Sequence, residues 1–246
     1  GSVMTQVSVV IPMRNEAPNL APVVGGILEA CAGLDAFEVI VVDDGSTDET
    51  ATLARDMIVA DPRIRLIRHQ QSAGQSAAIH SGVLAARAPV ICMLDGDGQN
   101  PPAELPKLFT PLLDDTTGRL GLVAGQRVDR QDSRSKLWAS RLANGLRGRI
   151  LSDGTRDTGC GLKGFRRDAF LSLPYFDHMH RYLPALFARE GWDIRHVDVS
   201  HRERHAGNSK YTNLRRALVG VPDLLAVAWL IKRRKKASGT EWRPDQ

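Results

Sequence analysis

Residues 37–48 read FEVIVVDDGSTD. Six residues dominated by β-branched and aromatic side chains match a short strand buried on both faces. Two carboxylates, a glycine and three more turn-forming residues then stop it, as expected of a turn opening a helix. The same grammar extends in both directions. Residues 6–11 (QVSVVI) read as a strand, and residues 18–32, delimited by Pro12 and Pro18, as a helix. Residues 48–60 read as a helix capped by Ser46 or Thr47. Residues 64–68 form a third strand, 75–87 a third helix and 89–94 (PVICML) a fourth strand that closes on Asp95-Gly96-Asp97-Gly98. A helix over 101–113 and a strand over 120–124 follow.

Strands spaced by single helices imply right-handed βαβ units and a mostly parallel sheet covered on both faces. The expected fold class is α/β and Rossmann-like. Ligands of such sheets bind beyond the carboxyl ends of the strands. Three of those ends carry polar clusters: Arg14-Asn15-Glu16, Asp43-Asp44, and Asp95 with Asp97. After Gly125 the pattern loosens. Residues 136–150 read as a basic amphipathic helix, 157–165 as a Gly-rich run, 178–190 as a helix, 193–199 as a strand and 201–211 as a polar loop. No linker separates the halves, so the second is expected to fold onto the first sheet.

The chain has 246 residues, 42% hydrophobic and 25% charged, which excludes a disordered tail, a collagen-like fibre and a disulfide-stapled miniprotein. Its net charge of +5 hides a division. Residues 1–125 carry 8 basic and 15 acidic side chains, and residues 126–246 carry 25 and 13. A cation site beside an anion site is the expectation. Nucleic acid is an unlikely partner, because aromatics are only 5% of the chain and Tyr211 alone adjoins the late basic run. Cys31, Cys92 and Cys160 are scattered, and no signal-peptide pattern opens the chain, so a reducing, cytoplasmic location is expected.

The longest apolar stretch, 217–231, is broken by Pro222 and Asp223 and is too short to span a bilayer. Arg215-Arg216 precede it and Lys232 to Lys236 (KRRKK) follow it. Basic residues at both ends favour docking on an anionic membrane surface over simple packing on the core.

Asp95-Gly96-Asp97 is the sharpest chemical signal. Hard oxygen ligands at i and i+2 suit Mg²⁺ or Mn²⁺ holding a diphosphate, with Gln99 adding a carbonyl oxygen. The bland alternative is an ordinary Asp-Gly turn. Asp43 and Asp44 can accept from a base imide or ribose hydroxyls, and two acids where capping needs one favour binding. GxGxxG at 159–164 is rejected as a dinucleotide fingerprint, since no strand fits before it. The 201–205 run (HRERH) lacks an evident third zinc ligand. Arg202, Arg204 and Lys210 read as an anion clamp for phosphate on a small ligand.

Together, VSVVIPMRNE (7–16), VVDDGSTD (41–48), LDGDGQNPP (94–102) and RHAGNSKY (204–211) resemble the inverting family 2 glycosyltransferases of the dolichyl/polyprenyl-phosphate mannosyltransferase type. The resemblance implies the A-type nucleotide-sugar transferase fold. It implies a catalytic domain over 3–212, with a nucleotide-binding half to about 125 and an acceptor and phosphate half beyond, then a basic C-terminal helix and tail over 213–246. Pro12, Arg14, Glu16, Val42, Asp43 and Asp44 would contact the nucleoside, with Asp95 and Gly96 beside them. Asp95, Asp97 and Gln99 would hold the metal and the donor diphosphate, with Asp97 also catalytic. Arg127, Arg141, Arg204 and Lys210 match phosphate-binding positions, and Asp157 matches an acidic catalytic position. The implied reaction moves a sugar from a nucleoside-diphosphate sugar to a polyprenyl phosphate, by an enzyme peripheral on the cytoplasmic face of the membrane and free to form a homo-oligomer. Transfer to a saccharide hydroxyl is the competing expectation, and a non-catalytic nucleotide or nucleic-acid binding module a weaker one.

Overall fold

The computed structural model describes residues 3–128, 134–151, 159–202 and 213–245. Its chain order begins β1 (Val7–Met13), α1 (Ala17–Ala30), β2 (Phe37–Asp44), α2 (Thr50–Ala60), β3 (Ile64–His69), α3 (Gln75–Ala85) and β4 (Val90–Met93). A 3-10 turn, Pro102–Glu104, leads into α4 (Leu105–Asp114), and β5 (Leu120–Arg127), α5 (Arg134–Leu151), β6 (Lys163–Arg166) and α6 (Arg167–Leu171) follow. A second 3-10 turn, Met179–Tyr182, precedes α7 (Leu183–Arg189), β7 (Asp193–Val199) and α8 (Asn213–Lys232).

The elements expected in the first half are present, with modest shifts at their ends. One correction concerns α2. It starts at Thr50, and Asp48 Oδ1, rather than Ser46 or Thr47, accepts the Thr50 N–H at 2.9 Å. The expected helix over 178–190 divides into the second 3-10 turn and α7.

Seven strands form one sheet in the order β3-β2-β1-β4-β6-β5-β7. All neighbours are parallel except β6, which runs antiparallel to both β4 and β5. This strand, KGFR, escaped the sequence reading because four residues with two cations and a glycine carry no apolar run. Its insertion makes the two halves share a sheet, as the lack of a linker implied. Successive residues of β1 and β2 face opposite sides, and both sides are buried. Val9, Ile11, Val39 and Val41 pack with Leu20, Val24 and Ile27 of α1. Val10, Ile40 and Val42 pack with Ile79 and Val83 of α3. That double burial is why these strands are continuous apolar runs rather than alternating ones.

The C-terminal helix packs on the core along one side, as one of the two readings of its sequence has it. Val227 of α8 is fully buried, with Leu224, Ala228 and Ile231 packed on the same core. Its opposite side leaves Leu218, Val221, Leu225 and Trp229 exposed.

Candidate active site

β2 and β3 lie on one side of β1 and β4 on the other, so the strand order reverses at β1. Beyond the carboxyl ends of the strands at this switch point lies a cleft of about 330 Å³. Pro12, Arg14, Glu16 and Asp44 line one part of it, and Gln75, Asp95, Gly96 and Asp97 another.

At the first end, two βα turns are latched together. Asn15 sits at φ 52°, in the left-handed region that asparagine tolerates. Its Oδ1 accepts the N–H groups of Thr47 at 2.8 Å and Asp48 at 3.2 Å, while its own N–H donates to Ser46 Oγ. Arg14 is thereby held exposed at the rim, and Glu16 accepts from Asn19 Nδ2 at 2.7 Å.

The neighbouring acids have structural duties that the sequence did not disclose. Asp43 is fully buried, accepts the Ser46 N–H at 3.0 Å, pairs with Arg68 and is absent from the cleft lining. Asp43 is thus committed to the turn and to Arg68, and only Asp44 of the two acids reaches the cleft. Asp44 lines the cleft, but both its oxygens already accept hydrogen bonds. Burial alone would raise its pKa. The N–H of Ala73, His69, the Ser72 hydroxyl and the Gly74 N–H outweigh that and hold it below the usual carboxylate range. Asp44 thus pins the 72–74 loop that walls the cleft. Val42 is core, buried as a whole residue and absent from the cleft lining, so the structure does not bring it to the nucleoside end.

At the other end, Asp95 follows β4 and Asp97 occupies the turn beyond it. Gln75 Nε2 donates to Asp95 Oδ1 at 2.7 Å, and Asn100 Oδ1 accepts the Asp95 N–H at 2.9 Å. The Gln99 N–H donates to Asp97 Oδ1 at 3.0 Å. Gly96 is required here, since a Cβ would lie 2.7 Å from the Pro12 carbonyl oxygen. Burial raises the pKa of Asp95, and the Asp97 charge raises it further, against smaller opposing effects of Lys163, Gln75 and Arg127. Two neighbouring carboxylates in one cleft offer hard oxygen donors, which fits a divalent cation. Among the described residues, no group of three or more His, Cys, Asp or Glu gathers as a metal site. A cation held by these two carboxylates would complete its shell from Gln99, phosphate oxygens and water, the usual habit of Mg²⁺.

The basic half reaches this end through β6 and β7. Because β6 is antiparallel, the chain entering it lies beside the exit of β4. Lys163 is buried, with Nζ 2.5 Å from the Cys160 carbonyl oxygen, and the backbone of Gly161 lies against Asp95. Beyond β7, the Arg202 N–H donates to the Gln99 carbonyl at 2.9 Å, so the late basic run departs from the Asp97 turn. Arg127, at the end of β5, acts electrostatically on Asp95. Arg141 is exposed on α5 and is not among the cleft-lining residues. Asp157, Arg204 and Lys210 lie outside the described residues.

Sequence reasoning missed Gln75, Asn100, Gly161, Lys163 and the 72–74 loop. Gln75 had a signal, as the first residue of a helix following a strand. Gly161 and Lys163 did not, because their role depends on the unanticipated β6, and Asn100 and the 72–74 loop act through contacts with Asp95 and Asp44 that no local pattern announces. Below the cleft, His180 Nδ1 lies 2.6 Å from Ser76 Oγ. Desolvation, then the positive charges of Lys163, Arg181 and His178, lower the His180 pKa to about 3.

Residues 8–173 match the sequence profile of Glycosyl transferase family 2. The chain is 32% identical over 239 residues to the dodecaprenyl-phosphate galacturonate synthase of Rhizobium johnstonii, covering 94% of this chain and 69% of that protein. It is 35% identical over 214 residues to the undecaprenyl-phosphate 4-deoxy-4-formamido-L-arabinose transferase of Pseudomonas aeruginosa, covering 85% of this chain and 61% of that protein. The chain therefore spans about two thirds of the length of these relatives. Among solved structures, glucosyl-3-phosphoglycerate synthase from Mycobacterium tuberculosis, in complex with Mn²⁺, UDP and glucosyl-3-phosphoglycerate, superposes with a TM-score of 0.68 at 20% identity. That match covers 91% of this chain and 80% of the other and establishes a common fold.

Proposed function

The chain belongs to glycosyl transferase family 2, and from that premise we propose that it moves a sugar from a nucleoside-diphosphate sugar to a polyprenyl phosphate, with inversion at the anomeric carbon. The single observation that carries this reading is the cleft at the switch point, with Pro12, Arg14, Glu16 and Asp44 at one end and Asp95 and Asp97 at the other. Two relatives named for polyprenyl-phosphate sugar transfer support the choice of acceptor.

In this reading Pro12, Arg14, Glu16 and Asp44 receive the nucleoside, and the Asp44-pinned loop fixes the shape of that end. Asp95, Asp97 and Gln99 would hold Mg²⁺ or Mn²⁺, which when bound neutralises charge on the diphosphate. An acceptor phosphate oxygen attacks the anomeric carbon. The bond from that carbon to the diphosphate oxygen breaks, and the nucleoside diphosphate leaves with the electron pair. Arg127, with Arg141, Arg204 and Lys210, stabilises phosphate charge as it develops. The acceptor is already anionic, so Asp157 orients acceptor or sugar instead of removing a proton. Asp97 and Asp157 remain the proposed catalytic residues.

The enzyme would work as a peripheral protein on the cytoplasmic face of a membrane, with α8 and the exposed basic run Lys232 to Lys236 against the lipid. Among the described residues no helix is long and apolar enough to cross a membrane, which is compatible with surface docking. The test presents polyprenyl phosphate, Mg²⁺ or Mn²⁺ and a panel of nucleotide sugars. A lipid-linked sugar is expected from at least one donor, and no product from any would overturn the reading. Transfer to a saccharide hydroxyl would instead make Asp157→Asn lose activity by orders of magnitude.

A further inference from the structure

Asp44 and Asp95 face one cleft from its two ends, and they are bonded in opposite ways. His69, the Ser72 hydroxyl and the N–H groups of Ala73 and Gly74 engage both oxygens of Asp44. At Asp95 the side-chain donor is Gln75, whose Nε2 meets Oδ1 at 2.7 Å. An ionised carboxylate has about four lone-pair sites. Asp44 is therefore committed to its loop, whereas one amide at Asp95 fixes the group and leaves acceptor capacity for a ligand. The chemistry of that donor matters. A lysine or arginine in the same place would neutralise Asp95 and compete with a cation. A carboxamide orients the oxygen and leaves its charge intact.

Gln75 is itself held on both sides. Gly74, which caps α3 at φ 96°, gives its N–H to Asp44 Oδ2 at 3.0 Å. Ser76 is buried, accepts the His180 N–H at 3.3 Å and lies 2.6 Å from His180 Nδ1. The first turn of α3 is thus tied to the Asp44 end of the cleft and to the 3-10 turn Met179–Tyr182. Between those ties Gln75 lines the cleft, half-buried. A donor on a main chain anchored at both neighbours can set the orientation of its acceptor, which a donor on a loose loop cannot. Elsewhere Asp95 is enclosed by its N–H bond to Asn100 Oδ1 and by the backbone of Gly161.

We infer that Gln75 is a positioning residue for the proposed sugar transfer, holding the Asp95 carboxylate in the orientation that receives the divalent cation and the donor diphosphate. Its contribution rests on the cation site proposed above, and it acts through Asp95 without touching the reacting atoms.

The test titrates Mn²⁺ into the full chain with UDP or GDP present, followed by electron paramagnetic resonance, beside steady-state sugar transfer. Gln75→Met keeps the length of the side chain and removes the donor. Its Mn²⁺ dissociation constant is expected to rise about tenfold, and kcat at saturating Mn²⁺ to fall about tenfold, the usual scale for losing the hydrogen-bond partner of a metal ligand. The KM for prenyl phosphate should stay close to that of the parent. Gln75→Asn keeps the amide but is one methylene too short to reach Asp95, and should behave like Gln75→Met.

A merely structural Gln75 would lower the melting temperature and leave the Mn²⁺ affinity of the folded protein unchanged, and that result would overturn the inference. Parent-like Mn²⁺ affinity and kcat in both variants would overturn it too. A parent that binds Mn²⁺ yet transfers sugar to no prenyl phosphate would fall on the acceptor reading alone, with the Mn²⁺ titrations still deciding the role of Gln75. A parent that binds neither Mn²⁺ nor Mg²⁺ would overturn the inference together with the cation site.

Discussion

The backbone of Gly161 lies against the carboxylate of Asp95. A Cβ at Gly161 would collide with Oδ2, and would stand 2.5 Å from Cγ and 2.7 Å from Asn100 Oδ1. Segments 66 residues apart meet at this point. Gly161→Ala is therefore expected to displace Asp95 and cut turnover about a hundredfold, the usual cost of moving a reacting group by about 1 Å. Steady-state kinetics and Mn²⁺ titration should both register the loss, while circular dichroism stays close to that of the parent.

Asp97→Ala is expected to abolish metal-dependent transfer, on the order of a hundredfold to a thousandfold or more in kcat. Lys210→Ala should chiefly raise the KM for a phosphate-bearing substrate. Full metal-dependent turnover by Asp97→Ala would show the site assignment to be wrong. Chelation should stop the parent, and restored Mg²⁺ or Mn²⁺ should revive it.

Much of this site was legible in the sequence, because strand ends of a βα series announce themselves. The buried runs β1, β2 and β4 each stop at a polar cluster, and residues of all three clusters meet at one cleft. What sequence could not give was the division of labour within a cluster. Asp43 and Asp44 are adjacent and chemically identical, yet one is buried under a turn and the other pins a loop contributed by residues 72–74. Nor could a local pattern reveal β6, whose strand identity comes from two flanking partners rather than from its own residues.

Asp44→Asn tests that division. Both oxygens of Asp44 now accept, and an amide replaces one acceptor with a donor facing N–H or O–H groups. The 72–74 loop should loosen, raising the nucleotide KM more than it lowers kcat. A cost of about 1–3 kcal/mol in stability is expected from the orphaned donors, measurable by urea unfolding.

His180 makes stability fall on mild acidification. Its folded pKa of about 3 is below the unfolded value of about 6.5, so between them only the unfolded state takes the proton. The stabilisation is full above pH 6.5 and declines as pH drops. At pH 5 the loss is about 2 kcal/mol. His180→Asn, which keeps a partner for Ser76, should flatten the unfolding free energy over this window.

Glu38 supplies a control at the opposite end of the strands. Its carboxylate accepts from Ser8 Oγ at 2.6 Å, Arg65 at 2.8 Å and the Arg87 N–H at 2.7 Å. Glu38→Ala leaves Arg65 uncompensated and should cost about 3 kcal/mol. Nucleotide KM and kcat measured well below the melting temperature should be unchanged.

The antiparallel β6 also sets an order of assembly. β1 with β2 and β2 with β3 pair through single helical crossovers and close short loops, whereas β4 reaches β1 only across 83 residues, Val7 opposite Val90. The exit of β4 gains its second partner only when Lys163 arrives opposite Met93, 70 residues downstream. Closing so long a loop costs entropy before any contact repays it. The nucleoside end should therefore acquire protection from hydrogen exchange early in refolding and the carboxylate end late. A chain arrested between those stages would hold half a binding site and no chemistry.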